Sequence, residues 1–143
     1  MQSDGRRDRP SETLSEKDFL RLKKQITSGQ RIAFTVASGS MAPVIKVGDF
    51  VEVGRMDSAP KQYDILVFWN GSILVCHYLL HINALNAPDG QPVYVTAGLA
   101  NSRFEDLPVN SSHVLGKVVS HGLGRLTRLK MTGKAIWRRC SRF

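Results

Sequence analysis

Three kinds of side chain that could together perform nucleophilic catalysis are spread along the sequence. Ser38-Gly39-Ser40 follows a segment of alternating apolar residues, so both hydroxyls fall at the end of a predicted strand. A serine hydroxyl attacks a carbonyl carbon only after a base takes its proton, and the resulting oxyanion needs hydrogen-bond donors. Ser-Gly-Ser is also ordinary turn chemistry, and spacing alone favours a turn.

A base for this chemistry would be one of the four histidines, His77, His81, His113 and His121. His77 lies inside the apolar segment ILVCHYLL, where a histidine is either a hydrogen-bonded packing residue or a base. The other three lie at the ends of predicted strands and are expected to be solvated. No histidine has the spacing to a Cys or carboxylate that a metal site needs, so neither a metal nor another cofactor is expected.

A carboxylate would be the third group, because it fixes the orientation and tautomer of the base. Glu105 and Asp106 lie in a predicted loop, 99–111, after a strand. Taken alone, this pair is more simply interpreted as a solvated loop pair.

Helical spacing occurs near both ends of the chain. Ser15 and Asp18 form a capping box, and the apolar residues that follow predict a short amphipathic helix over 15–28. Apolar residues in 125–139 again recur near one side, which predicts a second helix.

Between the helices the hydrophobic period is two, which is typical of strands. The predicted strands cover residues 31–37, 49–55, 64–70, 72–81, 92–98 and 112–122. Asn70-Gly71 is a strong hairpin signal between two of them. The sequence therefore predicts a mainly β fold, an antiparallel and partly closed β-domain with short N- and C-terminal helices.

Six segments of the chain resemble the ordered sequence boxes of type I signal peptidases and their soluble relatives. They read SGSMAP, VGDFVEV, YDILVF, VCHYLL, VTAGLAN followed by DLPV, and VLGKVV, and they run from about residue 36 to 119. Six boxes in this order are specific, whereas Ser-Gly-Ser-Met alone would not be. The resemblance implies a signal-peptidase/LexA-like β-domain.

The same resemblance implies catalytic roles for three side chains. Ser40 takes the position of the nucleophile. His77 takes the position of the base, as in the archaeal and endoplasmic-reticulum type; the bacterial housekeeping enzymes carry a lysine there. Asp106 fits the orienting carboxylate if one residue is inserted, and Glu105 fits without an insertion. Asp106 is preferred because Asp-x-Pro-Val follows the pattern of soluble relatives.

The substrate would meet the residues around Ser40. The Ser38 hydroxyl and the Ser40 N–H are expected to form the oxyanion hole, and Met41 and Pro43 are expected to contact the substrate. The resemblance implies an extended peptide, bound along a sheet edge, with small side chains before the cut.

Some positions depart from the family pattern. Ala97 replaces a lysine, Leu99 replaces an aspartate, and Tyr78 replaces the arginine after the histidine. A histidine that lacks its carboxylate partner loses tautomer control, which in other triads costs about 10⁴ in rate. A catalytically inactive relative that binds an extended peptide is therefore the alternative.

The charge of the chain is concentrated in its tail. The net charge is +8, and residues 107–143 contain eight Lys or Arg and no acidic residue. A basic helix with aromatic residues can bind an anionic membrane surface or an acidic partner, and nucleic acid is not the expected partner. The equally favoured alternative is a solvated, frayed terminal helix that its leucines pack in place. The residues expected to make the membrane or partner contact are Arg125, Arg128, Lys130, Trp137, Arg138 and Arg139.

The chain is expected to consist of a disordered leader (1–14), a catalytic domain that includes the N-terminal helix (15–122) and a basic amphipathic tail (123–143). The first ten residues lack the apolar region of a signal peptide, and no apolar run approaches the ~20 residues that span a bilayer. A cytoplasmic protein is expected, with the tail as a means of peripheral membrane attachment.

The predicted function is a serine endopeptidase that removes a leader or signal segment from a peptide or protein precursor. The alternative is the inactive peptide-binding module. A self-cleaving repressor is the weakest hypothesis, because residues 1–30 are too short for a helix-turn-helix domain and the base is not lysine.

Overall fold

The structure, a computed structural model, describes residues 13–83, 90–101, 106–122 and 136–138. Within these ranges the chain forms one α-helix and one sheet of eight strands. In chain order the elements are α1 (Glu16–Thr27), β1 (Ile32–Thr35), β2 (Phe50–Gly54), β3 (Ile65–Trp69), β4 (Leu74–Asn83), β5 (Val93–Ala97), β6 (Val109–Asn110), β7 (Val114–Gly122) and β8 (Ile136–Arg138). Two short 3-10 helices, Leu99–Asn101 and Ser111–His113, follow β5 and β6.

The strands form a curled half-barrel in the order β6-β5-β4-β3-β7-β2-β1-β8. All neighbouring strands are antiparallel except β1 and β8, which are parallel. The prediction of a mainly β, antiparallel and partly closed domain is confirmed.

The N-terminal helix forms as its sequence predicts. The Ser15 side chain caps it by accepting a hydrogen bond from the Asp18 N–H at 3.2 Å. Phe19, Leu22 and Ile26 share one face of the helix and are all buried against the sheet. Burial of this apolar face is the main stabilisation of so short a helix, because an isolated helix of 12 residues is marginal in water.

The sheet has two apolar faces because strand side chains alternate. The helix face packs against α1 and includes Val51, Val53, Val67, Leu74 and Cys76. The opposite face is called the site face here, and its buried cluster consists of Leu66, Phe68, Leu79, Tyr94, Val109 and Val114.

The β3–β4 hairpin determines which residues reach the site face. Its turn is closed by the Asn70 side chain, which accepts backbone hydrogen bonds at 2.9 Å from two residues of the turn. The hairpin register pairs Leu66 with His77, which puts His77 on the site face. On its other side β4 pairs with β5, where Tyr78 is opposite Ala97. Because these strands are antiparallel, His77 is opposite Gly98, the residue after Ala97.

Two predictions about the chain ends need correction. Leu14 was assigned to the disordered leader, but its N–H donates to the Ser72 carbonyl at 2.6 Å and its carbonyl accepts from the Trp69 indole at 2.9 Å. The helix predicted over 125–139 is wrong at Ile136–Arg138, where the backbone pairs with β1. An edge strand offers unpaired backbone groups, and β1 satisfies them through this pairing.

The rest of the predicted tail helix lies outside the described residues, as do Arg125, Arg128, Lys130 and Arg139. Of Trp137 and Arg138 the structure describes the backbone alone. In the part of the chain that the structure does describe, no helix has the length and apolar character needed to span a membrane.

Candidate active site

The centre of the candidate site is a hydrogen bond between Nδ1 of His77 and Oδ2 of Asp106. His77 comes from the middle of β4, and Asp106 comes from the segment before β6. The side chains are 13% and 29% exposed, so the pair is mostly shielded from water yet still accessible. An ionised carboxylate can only accept a hydrogen bond, so Nδ1 is the donor; in the neutral imidazole with this tautomer, Nε2 carries the lone pair.

A second residue, Thr96 of β5, holds Asp106 in place. Its hydroxyl donates to the same Oδ2 atom at 2.8 Å, and its carbonyl accepts from the Asp106 N–H at 2.8 Å. Thr96 is 0% exposed, which gives this double contact little freedom to move. Thr96 therefore holds Asp106 at two points, the backbone N–H and the carboxylate.

Gly98 lies between the histidine and the serine turn. A methyl group added to Gly98 would be 2.9 Å from the Ser40 carbonyl oxygen and 3.1 Å from Nε2 of His77. The carbonyl oxygen and Nε2 are therefore within about 6 Å of each other, the sum of these two distances. Nε2, the atom with the free lone pair, is thus on the side of the imidazole that faces the Ser40 turn.

The Ser40 turn is fastened to the segment that follows β5. The Ser40 carbonyl accepts from the Ala100 N–H at 2.9 Å. Beside it, the Leu99 N–H donates to the Met41 sulfur at 3.4 Å. These contacts hold the serine next to the strand pair that carries His77.

The two serines of the turn are in contact with each other. Their hydroxyl oxygens, Ser38 Oγ and Ser40 Oγ, are 3.3 Å apart and hydrogen-bonded. Both residues are half-buried. Ser40 and His77, both among the described residues, form no hydrogen bond in this state. Catalytic hydrogen bonds are often long in structures without substrate and tighten when it binds.

Met41 and Pro43, the expected substrate contacts, have different environments. Pro43 is exposed, and the peptide bond before it is cis. The Met41 side chain is 3% exposed and packs in the helix-face core. We therefore conclude that Met41 holds the serine turn in place by packing in the core and does not contact the substrate.

The departures from the family pattern fall away from the His77 imidazole. Leu99 packs against the helix-face core, and Ala97 is buried. Asp106 contacts His77, so the histidine has a carboxylate partner although residue 99 is a leucine. Glu105, the other candidate, lies outside the described residues.

Among the remaining His and Cys residues that the structure describes, only His113 reaches the site, because it lines a cleft that His77 and Asp106 also line. Cys76 is buried on the helix face, and burial raises the pKa of its thiol to about 12. His81, His113 and His121 are exposed. In the ranges that the structure describes, no three His, Cys, Asp or Glu side chains are grouped so as to hold a metal ion.

Thr96 and Gly98 are the two site residues that the sequence did not reveal. Both lie in the segment VTAG, which the resemblance quotes without giving either residue a role. Their functions depend on the β4–β5 register, and that register shifts at a bulge between Leu79 and His81. When His77 is aligned with Gly98, the sequence does predict that Thr96 and Gly98 lie near it, because residues 96 and 98 share the site face with His77.

Comparison of the sequence with models of known protein families finds no match, and comparison with curated proteins finds none either. The functional conclusion therefore rests on the geometry of the site.

Proposed function

We propose that the protein is a serine endopeptidase that cleaves a leader or signal segment from a peptide or protein precursor. Ser40 is the nucleophile, His77 is the general base and acid, and Asp106 orients the imidazole. The observation that carries the proposal is the hydrogen-bonded series Thr96–Asp106–His77, which leaves Nε2 free on the side of the Ser40 turn.

In the first step His77 removes the proton from the Ser40 hydroxyl through Nε2. Ser40 Oγ bonds to the peptide carbonyl carbon, and the carbonyl oxygen becomes an oxyanion. The Ser40 N–H and the Ser38 hydroxyl are the proposed donors to this oxyanion. The 3.3 Å contact between the two hydroxyl oxygens supports this role, because it keeps the Ser38 donor beside the attacking atom.

In the second step the carbon–nitrogen bond breaks, and the imidazolium of His77 gives its proton to the leaving amine. Asp106 stabilises the imidazolium while the proton resides there. Water then gives a proton to His77 and attacks the acyl carbon. The ester bond to Ser40 breaks, the serine recovers the proton, and the acid product leaves.

One observation favours the alternative, a peptide-binding module without catalysis. Ser40 is hydrogen-bonded to Ser38 and not to His77, so peptide binding must bring the hydroxyl within ~3 Å of Nε2 before a proton can move. A protein in which this movement does not occur would bind an extended peptide and leave it intact.

The test is the reaction of the purified full-length protein with a penem acylator, followed by intact mass measurement. A single covalent adduct is expected on the native protein and is expected to be absent from Ser40→Ala and His77→Ala. Ser58→Ala and His81→Ala are matched controls, because both residues are exposed and outside the site; both should form the adduct at the native rate.

Asp106→Ala distinguishes the triad from a Ser–His pair. A large drop in the rate of adduct formation supports the triad, and an unchanged rate supports the pair. Absence of the adduct from the native protein, together with binding of extended peptides, would establish the inactive module and refute the proposal.

A further inference from the structure

A cleft on the site face continues from the His77–Asp106 pair. Its volume is about 530 Å³, within the roughly 300–1,000 Å³ of ligand sites. Its wall is mostly apolar: Phe68 and Val75 come from the β3–β4 hairpin, and Leu107, Pro108 and Val109 come from the segment after Asp106. Asn70 and His113 are further polar residues of the lining. Of the apolar residues, Phe68 and Val109 are buried and form the floor, whereas Leu107 is 87% exposed at the rim.

The imidazole of His77 separates this cleft from Ser40. Nε2 faces Gly98 and the serine turn, while Nδ1 faces Asp106, which together with His77 lines the cleft. The imidazole and the Phe68 ring form a T-shaped pair, with centroids 6.2 Å apart. A chain that passes from Ser40 across the imidazole therefore arrives at the cleft.

The chemistry of acyl transfer determines which part of a substrate crosses the imidazole. The acyl carbon stays bonded to Ser40, whereas the leaving nitrogen must reach Nε2 to receive its proton. The residues after the scissile bond thus begin at His77 and continue towards the cleft. The residues before the scissile bond stay on the Ser40 side.

We infer that the cleft binds a large apolar side chain in the first position after the scissile bond. This inference rests on the proposed peptidase function. The preferred substrates are then peptides whose newly exposed N-terminal residue has a large aliphatic or aromatic side chain. An alanine side chain would leave most of the cleft unfilled and would not cover Phe68 or Val75.

The inference can be tested without catalysis, because the leaving product alone should bind. The probes are three tripeptide amides that begin with phenylalanine, leucine or alanine and end in two alanines. Calorimetric titration into full-length Ser40→Ala protein is expected to give affinities at least about tenfold tighter for the first two. This ratio follows from burial of a large apolar side chain.

Val75→Trp and Leu107→Asp should each reduce this preference for large apolar side chains. Val75→Trp fills the cleft from its wall, and the matched control Val119→Trp adds the same bulk at a 37% exposed position outside the cleft. The preference should fall below threefold in Val75→Trp and persist in Val119→Trp. Leu107→Asp places a charge at the exposed rim, where folding tolerates it, and should weaken binding of the apolar tripeptides.

Equal affinity for the three tripeptides, or a preference that survives both Val75→Trp and Leu107→Asp, would overturn the inference. Failure of the proposed function has a different signature, namely the absence of a penem adduct on Ser40. The two results come from separate measurements, so either can fail while the other holds.

Discussion

Two neighbouring residues of β4, Cys76 and His77, lie on opposite faces of the strand and differ in burial and in hydrogen-bond partners. Cys76 points into the helix face, is 2% exposed, and has a thiol whose pKa burial raises to about 12. His77 points to the site face, contacts Asp106 and borders an open cleft. A cysteine thiolate is in general a stronger nucleophile than an imidazole, but burial keeps the Cys76 thiol neutral, whereas His77 is oriented by Asp106. Reactivity here follows from the neighbours of a group more than from its identity.

The same contrast extends across the whole sheet. The helix face is stabilised by apolar packing, including Phe19 stacked on Trp69 with ring centroids 5.4 Å apart. The site face combines an apolar cluster with one polar series, Thr96–Asp106–His77. Substitutions in that series should change chemistry with a modest effect on folding. The five predictions below use this difference.

The largest effect is expected for Asp106→Asn. The amide is uncharged and its NH₂ group can donate to Nδ1, which favours the wrong tautomer, so the rate of penem acylation should fall by up to ~10⁴. Stopped-flow or quench measurement of the adduct gives the rate. Asp57→Asn, at an exposed position with an ion pair to Arg55, should leave the rate unchanged. A loss below tenfold would remove Asp106 from the mechanism.

The next effect concerns the helix face. Because the pKa of Cys76 is about 12 rather than ~8.5, its thiolate fraction at pH 8 is lower by a factor of ~10³. Alkylation of the folded Cys140→Ser protein should be slower than that of the unfolded protein by at least this factor. Similar rates in the folded and unfolded protein would contradict the burial of this thiol.

This raised pKa also has a consequence for stability. Above pH ~8.5 the unfolded thiol ionises while the folded thiol remains neutral, so the contribution of Cys76 to stability decreases as the pH rises. The free energy of unfolding of the Cys140→Ser protein should therefore fall between pH 8.5 and 10 more than that of Cys76→Ala,Cys140→Ser.

A smaller effect, on the order of 10² in acylation rate, is expected for Gly98→Ala. The added methyl would lie 2.9 Å from the backbone oxygen of Ser40, so the serine turn must move away from His77. Gly39→Ala is the matched control, since a methyl there has no atom within 4 Å and should be tolerated. If both variants react at the native rate, close contact at Gly98 does not position the serine.

The smallest effect is expected for Thr96→Val, about tenfold in rate. This change keeps the shape of the side chain and removes one hydrogen bond to Asp106, which is also expected to cost about 1 kcal/mol of stability. Thr96→Ser restores the hydroxyl and should recover most of the activity. A loss of stability without any loss of rate would make Thr96 a purely structural residue.

Much of this arrangement was accessible from the sequence, because local patterns determine it. The capping box of Ser15 and the Asn70-Gly71 turn predicted α1 and the β3–β4 hairpin. The interruption of an apolar strand by His77 marked it as unusual. The contact of His77 with Asp106, chosen over Glu105 by resemblance, agrees with the geometry of the described residues.

Other features depend on relations between strands that sequence periodicity does not contain. The bulge between Leu79 and His81 sets the β4–β5 register, and that register places Thr96 and Gly98 beside the imidazole. β6 is only two residues long, too short to leave a periodic signal. At Ile136–Arg138 pairing with the free edge of β1 prevails over helical spacing.

The hydrogen bond from the Ala100 N–H to the Ser40 carbonyl has a further consequence. It joins the serine turn to the short 3-10 helix Leu99–Asn101 and is not part of the sheet, so it can break while the sheet stays intact. Exchange of the Ala100 amide proton with deuterium therefore reports how often the serine turn detaches from the strand pair behind it. Its protection factor gives the free energy of that local opening, separately from the free energy of unfolding the whole domain.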